Sequence, residues 1–350
     1  MAADAPDAQE HGARPAPPVS VVMPVLNEER YLAQSVQRVL DQAYDGPMEV
    51  VLAVGPSRDR TAEIAAGLAA DDPRIRVVDN PTGRTPHALN AAIGASSHAY
   101  VVRVDAHGLL PDGYVRDVVA LLETTGAANV GGLMHVEGET DFGHAVAVAM
   151  SSPYGIGGAK FHVGGQAGPA DTVYLGAFRR DVLTALGGYD EQFTRAQDWE
   201  LNYRIRKAGH TIWFSPDLAV TYRPRRDLRA LATQFHGSGR WRRQIIAAYP
   251  DTASFRYLAA PVVTLAIGVG VLLGLVGLLG AALGAGPLGW LTLGLAVPLV
   301  YALGVVAVSL REGRGLSGRA RLWLPVVIVT MHLAWGSGFL RSVPRAQRAR

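Results

Sequence analysis

Val19-Ser-Val-Val-Met-Pro-Val-Leu-Asn-Glu-Glu (19–29) sets a run of strand length against residues that suit a helix start. Seven mostly apolar residues are too few for a buried helix and enough for a buried strand. Asn27 reads as the N-cap of the next helix, with Glu28 and Glu29 in its first turn, where the helix dipole favours anions. Leu32, Val36, Val39 and Leu40 then share one helical face. The same phrase repeats. Residues 48–54 read as a second strand, with Ser57 and Asp59 as caps for a helix near 62–70. Residues 75–78 form a third strand, and Thr85-Pro86 opens a helix with Pro in the first turn. A fourth strand over 99–104 ends in Asp105-Ala106-His107. Strands alternating with helices imply an α/β, Rossmann-like fold with a mostly parallel sheet and right-handed crossovers. Such sheets bind ligands at the carboxyl ends of their strands. The loops after the first, second and fourth strands carry Asn27-Glu28, Ser57-Arg58-Asp59 and Asp105-Ala106-His107, so polar groups gather where a crevice is expected.

Outward from this core the 350-residue chain changes character. Residues 257–310 contain no Asp, Glu, Lys or Arg over 54 positions, whereas one transmembrane helix needs only about 20 apolar residues. Two spans fit, near 261–283 and 287–310, with Gly-Ala-Gly-Pro-Leu-Gly (284–289) as the turn between them. A third apolar stretch, 322–340, has His332 as its only titratable group; a span is favoured there, with Pro325 and Gly336-Ser337-Gly338 leaving a re-entrant or interfacial segment open. The expected organisation is a disordered tail over 1–18, a catalytic domain over 19–226, an amphipathic juxtamembrane segment over 227–256, a membrane domain over 257–340 and a basic tail over 341–350. No apolar signal-peptide core is expected in the first 18 residues. Eight Arg against two Asp over 222–256, and four Arg against one Glu over 311–321, place both flanks of the two spans on the cytoplasmic side. The catalytic domain is therefore expected at the cytoplasmic face of a multi-pass cell-membrane protein. If 322–340 also spans, the Arg-rich tail ends outside, against that rule. Net charge of +3 is read as membrane-facing and not as a nucleic-acid surface. With no cysteine, neither a disulfide framework nor a Cys-based zinc site is available.

Three constellations carry chemistry. Asp105-x-His107 at a strand end can converge on one divalent cation, although the spacing equally suits a turn cap beside an exposed His. Asp198, in Gln197-Asp198-Trp199-Glu200 before a helical run, can deprotonate a hydroxyl or cap the helix. Gln234-Phe-His-Gly-Ser-Gly-Arg-Trp-Arg-Arg (234–243) sets aromatic and cationic groups beside the membrane, where Trp241 can stack on a sugar or anchor at the interface and Arg240 can face phosphate.

In this order the pieces resemble glycosyltransferase family 2, the inverting GT-A enzymes, and within it the membrane-bound branch that includes succinoglycan-biosynthesis glucosyltransferases. Residues 19–29 are similar to the family's donor-binding start, 80–108 to the stretch ending in its Asp-x-Asp motif, 176–209 to the segment ending in its base motif and 234–241 to the branch's acceptor-side motif. The resemblance implies that Pro24, Val25, Asn27 and Glu28 border the nucleoside, that Arg84 assists the diphosphate, and that Asp105 contacts ribose or metal. His107 would ligate Mg²⁺ or Mn²⁺, Asp198 would be the general base, and Gln234, Arg240 and Trp241 would lie on the acceptor side. It further implies transfer of one sugar from a nucleotide-sugar donor to a lipid-linked or glycan acceptor. The chain departs from the family pattern at Val54-Gly55, where an acid commonly faces uracil, at His107 and at Gln197. Gly237 stands where processive synthases carry Gln, so single transfer is expected. Two alternatives remain: a polyprenyl-phosphate glycosyltransferase, and a non-catalytic membrane scaffold of the same fold.

Overall fold

The computed structural model describes residues 15–342. Residues 1–14 of the expected tail and 343–350 of the basic tail lie outside the described residues.

Among the described residues one sheet contains β1 (Val19–Val25), β2 (Met48–Val54), β3 (Ile75–Asp79), β4 (Tyr100–Arg103), β5 (Asn129–Val136), β6 (Gly168–Pro169), β7 (Tyr174–Arg179) and β8 (Ile212–Tyr222), in the order β3-β2-β1-β4-β7-β5-β8-β6. Only β6 and β7 run against the other strands. The mostly parallel sheet is therefore as the alternation implied. Helices α1 (Leu32–Leu40), α2 (Thr61–Asp71), α3 (Thr85–Ala95) and α4 (Tyr114–Thr125) follow the first four strands. Val19, Val21, Met23 and Val25 of β1 pack with α1, α2 and α4, while Val22 joins Val51 and Ala53 against α3 on the opposite face. Burial on both faces explains why β1 reads as a continuous apolar run. Each such Val or Leu side chain contributes about 1.5–3 kcal/mol relative to exposure.

Asn27 does not cap α1, which starts at Leu32 with no acid in its first turn. Asn27 instead sits in the left-handed region with φ 56°, donates its N–H to Ser57 Oγ at 3.0 Å and accepts from Arg58 N at 2.8 Å. Glu28 N donates to Thr61 Oγ1 at 2.7 Å. The polar groups that sequence reading gave to local capping thus tie the β1 loop to the β2 loop, because the parallel pairing of β1 with β2 sets those loops side by side. Gly55 is needed there: a Cβ would lie 3.0 Å from Leu26 Cδ1 and 3.2 Å from Gly83 Cα.

Between β5 and β7 come α5 (Asp141–Ser151) and the single turns α6 (Pro153–Ile156) and α7 (Lys160–Val163); α8 (Arg180–Ala185) and α9 (Gln197–Lys207) follow β7. Beyond β8 lie α10 (Leu228–Ala248), α11 (Phe255–Ala282), α12 (Ala296–Glu312) and α13 (Gly318–Arg341). Among the described residues three apolar segments are long enough to cross a membrane: Phe255–Ala282, Gly286–Gly315 and Gly318–Arg341. The second, where a helix was expected from 287, opens as a 3₁₀ helix over Gly286–Leu295 and turns α-helical from Ala296. Pro287, the glycines at 286, 289 and 294, and the fit of Gly270, Gly274, Gly277 and Gly280 of α11 against it favour the tighter winding.

Pro325 and Gly336-Ser337-Gly338 lie within one unbroken helix, so the chain makes no re-entrant turn at them. The glycines are notches. A Cβ on Gly336 would lie 2.0 Å from Thr264 Oγ1, and one on Gly338 2.0 Å from the His236 carbonyl oxygen. α13 is also joined to the sheet domain from end to end, through Ser317–Asp141, His332–Tyr154 O and Gln244–Ser342. Buried residues make up 33 % of its apolar window against 6 % for the segment before it.

Candidate active site

The crevice lies where β1 and β4, adjacent and parallel, release their loops. Val102 and Val104 face the α1 side of the sheet, so Arg103 and Asp105 face the other, towards the start of α9. Arg103 is buried, its side chain only 6 % exposed, and sequence reading passed over it. Its Nε and Nη2 donate to Asp105 Oδ1 at 3.1 and 2.9 Å, and its Nη1 donates to Asp198 Oδ1. One guanidinium therefore bridges the candidate metal-side carboxylate and the candidate base. The sequence signal was present: a cation inside Val-Val-Arg-Val-Asp, a strand otherwise buried, must find a carboxylate or shed its charge.

Asp198 sits in the first turn of α9, behind Ala196 at φ 59°. A non-glycine residue in that region costs roughly 1–2 kcal/mol, and here it turns the chain sharply into the helix that presents the carboxylate. Partial withdrawal from water lifts the Asp198 pKa above the usual aspartate value; Arg103 opposes this and Asp105 adds to it. The withdrawal is partial because 44 % of the side chain still meets solvent. Tyr189 closes the far side of Arg103, its ring buried and its pKa raised by that burial. The Gly188-Tyr189 turn is held by Asn90, whose side chain bonds both Tyr189 N and Tyr189 O, and by Arg204, which reaches Leu186 O and Gly188 O. Arg204 is fixed in turn by fully buried Glu200 at 2.7 Å, and Tyr249 of the segment after α10 binds the same carboxylate at 2.8 Å.

On the donor side His107 Nδ1 lies 2.8 Å from Glu28 Oε1. An ionised carboxylate only accepts, so Nδ1 carries the hydrogen and, in the neutral ring, Nε2 keeps its lone pair for a cation. Glu28 also raises the His107 pKa, against desolvation. A carboxylate orienting a histidine from behind is the arrangement that steadies metal-binding imidazoles. Asp105 and His107 are two protein donors that suit a divalent ion sharing its remaining positions with diphosphate and water. Among the described residues no group of three His, Cys, Asp or Glu forms a protein-only cage. Pro24, Val25, Asn27 and Glu28 lie at the end of β1 as expected, and Arg84 is exposed on the loop before α3.

A cavity of about 690 Å³ leads from Asp198 to the apolar helices. Gln234 and Trp241 line it, but Arg240, expected with them, is exposed elsewhere; Arg242 and Arg195 take part instead. α10 is helical throughout, and Gln234, Ser238, Trp241 and Arg242 recur at three- and four-residue steps on one face whereas 240 falls off it. Gly237 faces Arg195, and a Cβ there would make only an ordinary contact, 3.5 Å from its guanidinium. A second hollow of about 480 Å³, beside Lys160 and Arg206, contains none of the expected site residues.

Glycosyl transferase family 2 matches residues 20–187, which end before Asp198. The succinoglycan biosynthesis protein ExoA of Rhizobium meliloti (strain 1021) is 33 % identical over 327 residues, 92 % of this chain and 94 % of that protein. The chain belongs to glycosyl transferase family 2. As a glycosyltransferase of this family, it resembles the membrane-associated ExoA branch over nearly its full length, apolar helices included. A dolichyl N-acetyl-α-D-glucosaminyl phosphate 3-β-D-2,3-diacetamido-2,3-dideoxy-β-D-glucuronosyltransferase of Methanococcus voltae is 21 % identical, covering 62 % of this chain and 70 % of its own. Among solved structures, mannosyltransferase PcManGT from Pyrobaculum calidifontis, in complex with GDP-Man and Mn²⁺, superposes with a TM-score of 0.55 at 19 % identity, over 90 % of this chain and 86 % of that one. That likeness establishes the GT-A fold of this glycosyltransferase.

Proposed function

We propose that the enzyme is an inverting transferase that moves one sugar from a nucleotide-sugar donor to an acceptor hydroxyl at the cytoplasmic membrane face. The observation that carries this reading is the Arg103 bridge, which sets Asp198 against Asp105 at the carboxyl end of β4. Donor groups fall on one side of that bridge and the cavity on the other. The acceptor oxygen attacks the anomeric carbon as the bond from that carbon to the diphosphate oxygen breaks. Asp198 takes the hydroxyl proton, and the nucleoside diphosphate leaves with the electron pair. Arg103 lies between Asp198 and Asp105, and its charge favours the carboxylate form of Asp198 before donor binds. Asp105 and His107 would hold Mg²⁺ or Mn²⁺, which when bound neutralises charge on the diphosphate. GDP-Man and Mn²⁺ in the solved relative support the donor class. Val54 puts no acid where a uracil ring would be met, so a panel of UDP-, GDP- and dTDP-sugars tests the base.

Chelation should abolish transfer in this reading. Glu28→Gln should raise the Mn²⁺ concentration for half-maximal donor binding by about 10–100-fold, as loss of a carboxylate behind a ligating histidine does. Titrating labelled nucleotide with Mn²⁺ measures it; chelator-resistant binding and turnover would sink the metal assignment.

The membrane arrangement follows from charge and packing. α10, with Arg240, Arg242 and Arg243, runs alongside α13 in the same direction: His236 meets Gly338, and Gln244 meets Ser342. Arginines at membrane depth are costly, so we infer that α13 lies against the catalytic domain at the interface while the two preceding segments cross. The Arg-rich end then stays on the cytoplasmic side, which removes the conflict with the positive-inside rule. The absence of native cysteine makes labelling clean. Arg341→Cys should react with an impermeant thiol reagent only in inverted vesicles, and Gly286→Cys only in intact cells. Labelling of Arg341→Cys from outside would mean that α13 crosses.

A further inference from the structure

The second hollow, of about 480 Å³, lies at the other end of α9 from Asp198. Arg206, in the last turn of that helix, lines it together with Lys160 and Arg256. Eight residues separate Arg206 from Asp198, about 12 Å along the helix axis. The one acidic lining residue, Asp171, stands 3.5 Å from Arg206 and is 68 % exposed, so water screens it. Three permanent cations thus face one solvated carboxylate. Two donors among them are left over. Arg206 Nε is buried without a hydrogen-bond partner. Lys160 Nζ donates to the carbonyl oxygens of Gln166 and Pro169 at 3.3 and 3.4 Å, which holds the ammonium at the wall with its third hydrogen unused. The backbone does not create this site: the carboxyl end of a helix repels anions. The side chains supply the attraction, and a phosphate oxygen would satisfy both leftover donors.

The depth of the hollow says where the phosphate comes from. Lys207 Nζ binds Asp251 Oδ2 at 2.7 Å, and Tyr203 OH donates to Asp251 Oδ1 at 2.8 Å. These contacts tie the last turns of α9 to the single turn Pro250–Thr252, directly before α11 begins at Phe255. Phe255 is 85 % exposed, and Arg256 lies over the Tyr257 ring at 4.6 Å. An exposed Phe beside an Arg–Tyr pair, at the start of an apolar helix, marks the headgroup level of a bilayer. The hollow therefore opens among lipid phosphates.

We propose that Lys160, Arg206 and Arg256 hold the phosphate of an anionic phospholipid from the leaflet that faces the catalytic domain. The lipid seats the carboxyl end of α9 on the bilayer and so fixes the height at which the other end presents Asp198. It is no reactant. Lys160 and Arg206 line this hollow and not the larger cavity, whereas Arg256 lines both and is left intact in the test.

A photoactivatable phosphatidylglycerol, in trace amount, is irradiated in phosphatidylcholine nanodiscs that contain the full-length protein, and the labelled peptides are mapped. Label should fall on residues 158–172 and 206–212, at least about tenfold above that from a phosphatidylcholine probe, since each cation at a membrane surface contributes roughly fivefold. Unlabelled phosphatidylglycerol should remove it and inorganic phosphate should not. Lys160→Gln, a surface change, and Arg206→Gln should each lower labelling about fivefold, and Arg206→Lys should restore part. Arg319→Gln removes the same charge from another exposed position, at the start of α13, and should leave labelling unchanged. Nucleotide binding at the wild-type level reports that each variant is folded. Equal labelling by the phosphatidylcholine probe would remove charge recognition, and displacement by inorganic phosphate would make this a free-anion site. An equal loss in Arg319→Gln would reduce it to the diffuse field of the protein, and wild-type labelling in both Gln variants would remove Lys160 and Arg206 from it. Each of these overturns the proposal and leaves glycosyl transfer standing; loss of transfer in an Asp198 variant leaves the labelling standing.

Discussion

Asp198→Asn lowers kcat by about 10²–10⁴-fold, the usual contribution of a positioned general base, while the affinity for nucleoside diphosphate stays near the wild-type value. The amide fills the same volume and its oxygen still accepts from Arg103, so the bridge survives and only proton uptake is lost. Steady-state kinetics with calorimetric titration of nucleotide separates the two quantities. The pH profile supplies a second reading. The carboxylate form is the active one and the Asp198 pKa is raised, so activity is present above that pKa and falls as pH drops through it. The acid limb of kcat/KM should therefore lie above the ordinary aspartate range. Turnover of Asp198→Asn within tenfold of wild type would remove Asp198 from the chemistry.

Arg103→Met should lower stability, by less than the roughly 3–5 kcal/mol of a fully buried pair because 44 % of the Asp198 side chain still meets solvent, and should reduce kcat as well. The side chain is about the right length and apolar, but Asp105 and Asp198 are left facing each other in a crevice that shields them poorly from mutual repulsion. Their pairing proton would then be shared, and the base would be partly protonated at neutral pH. Activity should recover in part as pH rises, since higher pH ionises both carboxylates again. Chemical denaturation gives the stability change and a pH–rate series gives the recovery. A variant as stable as wild type with an unmoved acid limb would show that Arg103 neither braces the site nor sets its charge.

The α/β architecture was legible because its strands are buried on two faces and leave mostly apolar runs, as in 19–25 and 48–54. The apolar segments after 256 were legible because a bilayer excludes charge over lengths that no soluble core requires. What escaped reading was tertiary. Arg103 and Asp198 are 95 positions apart in sequence, and no local pattern links them. Asn27 looks like a cap until its side chain is seen spending its hydrogen bond on Arg58 N, a partner created by strand order. Arg242 was overshadowed by Arg240: the cationic stretch 234–243 holds both, and the resemblance over 234–241 carries only Arg240. The helical face, not the motif, decides which guanidinium meets the cavity. The parallel pairing of α10 with α13 had no signature beyond glycines at 239, 336 and 338, which composition alone cannot distinguish from flexible turns.

The central claim is single displacement at a family 2 site, and the anomeric configuration of the product tests it most directly. Purified full-length enzyme in lipid is supplied with Mn²⁺, a saccharide acceptor and α-linked UDP-, GDP- or dTDP-sugars, and the product made from the accepted donor is examined by proton NMR. One attack assisted by one base gives a β-glycoside that survives mild alkali. An α-linked product would contradict the inverting mechanism, and an alkali-labile glycosyl phosphate would transfer the nucleophile's role from a hydroxyl to a lipid phosphate.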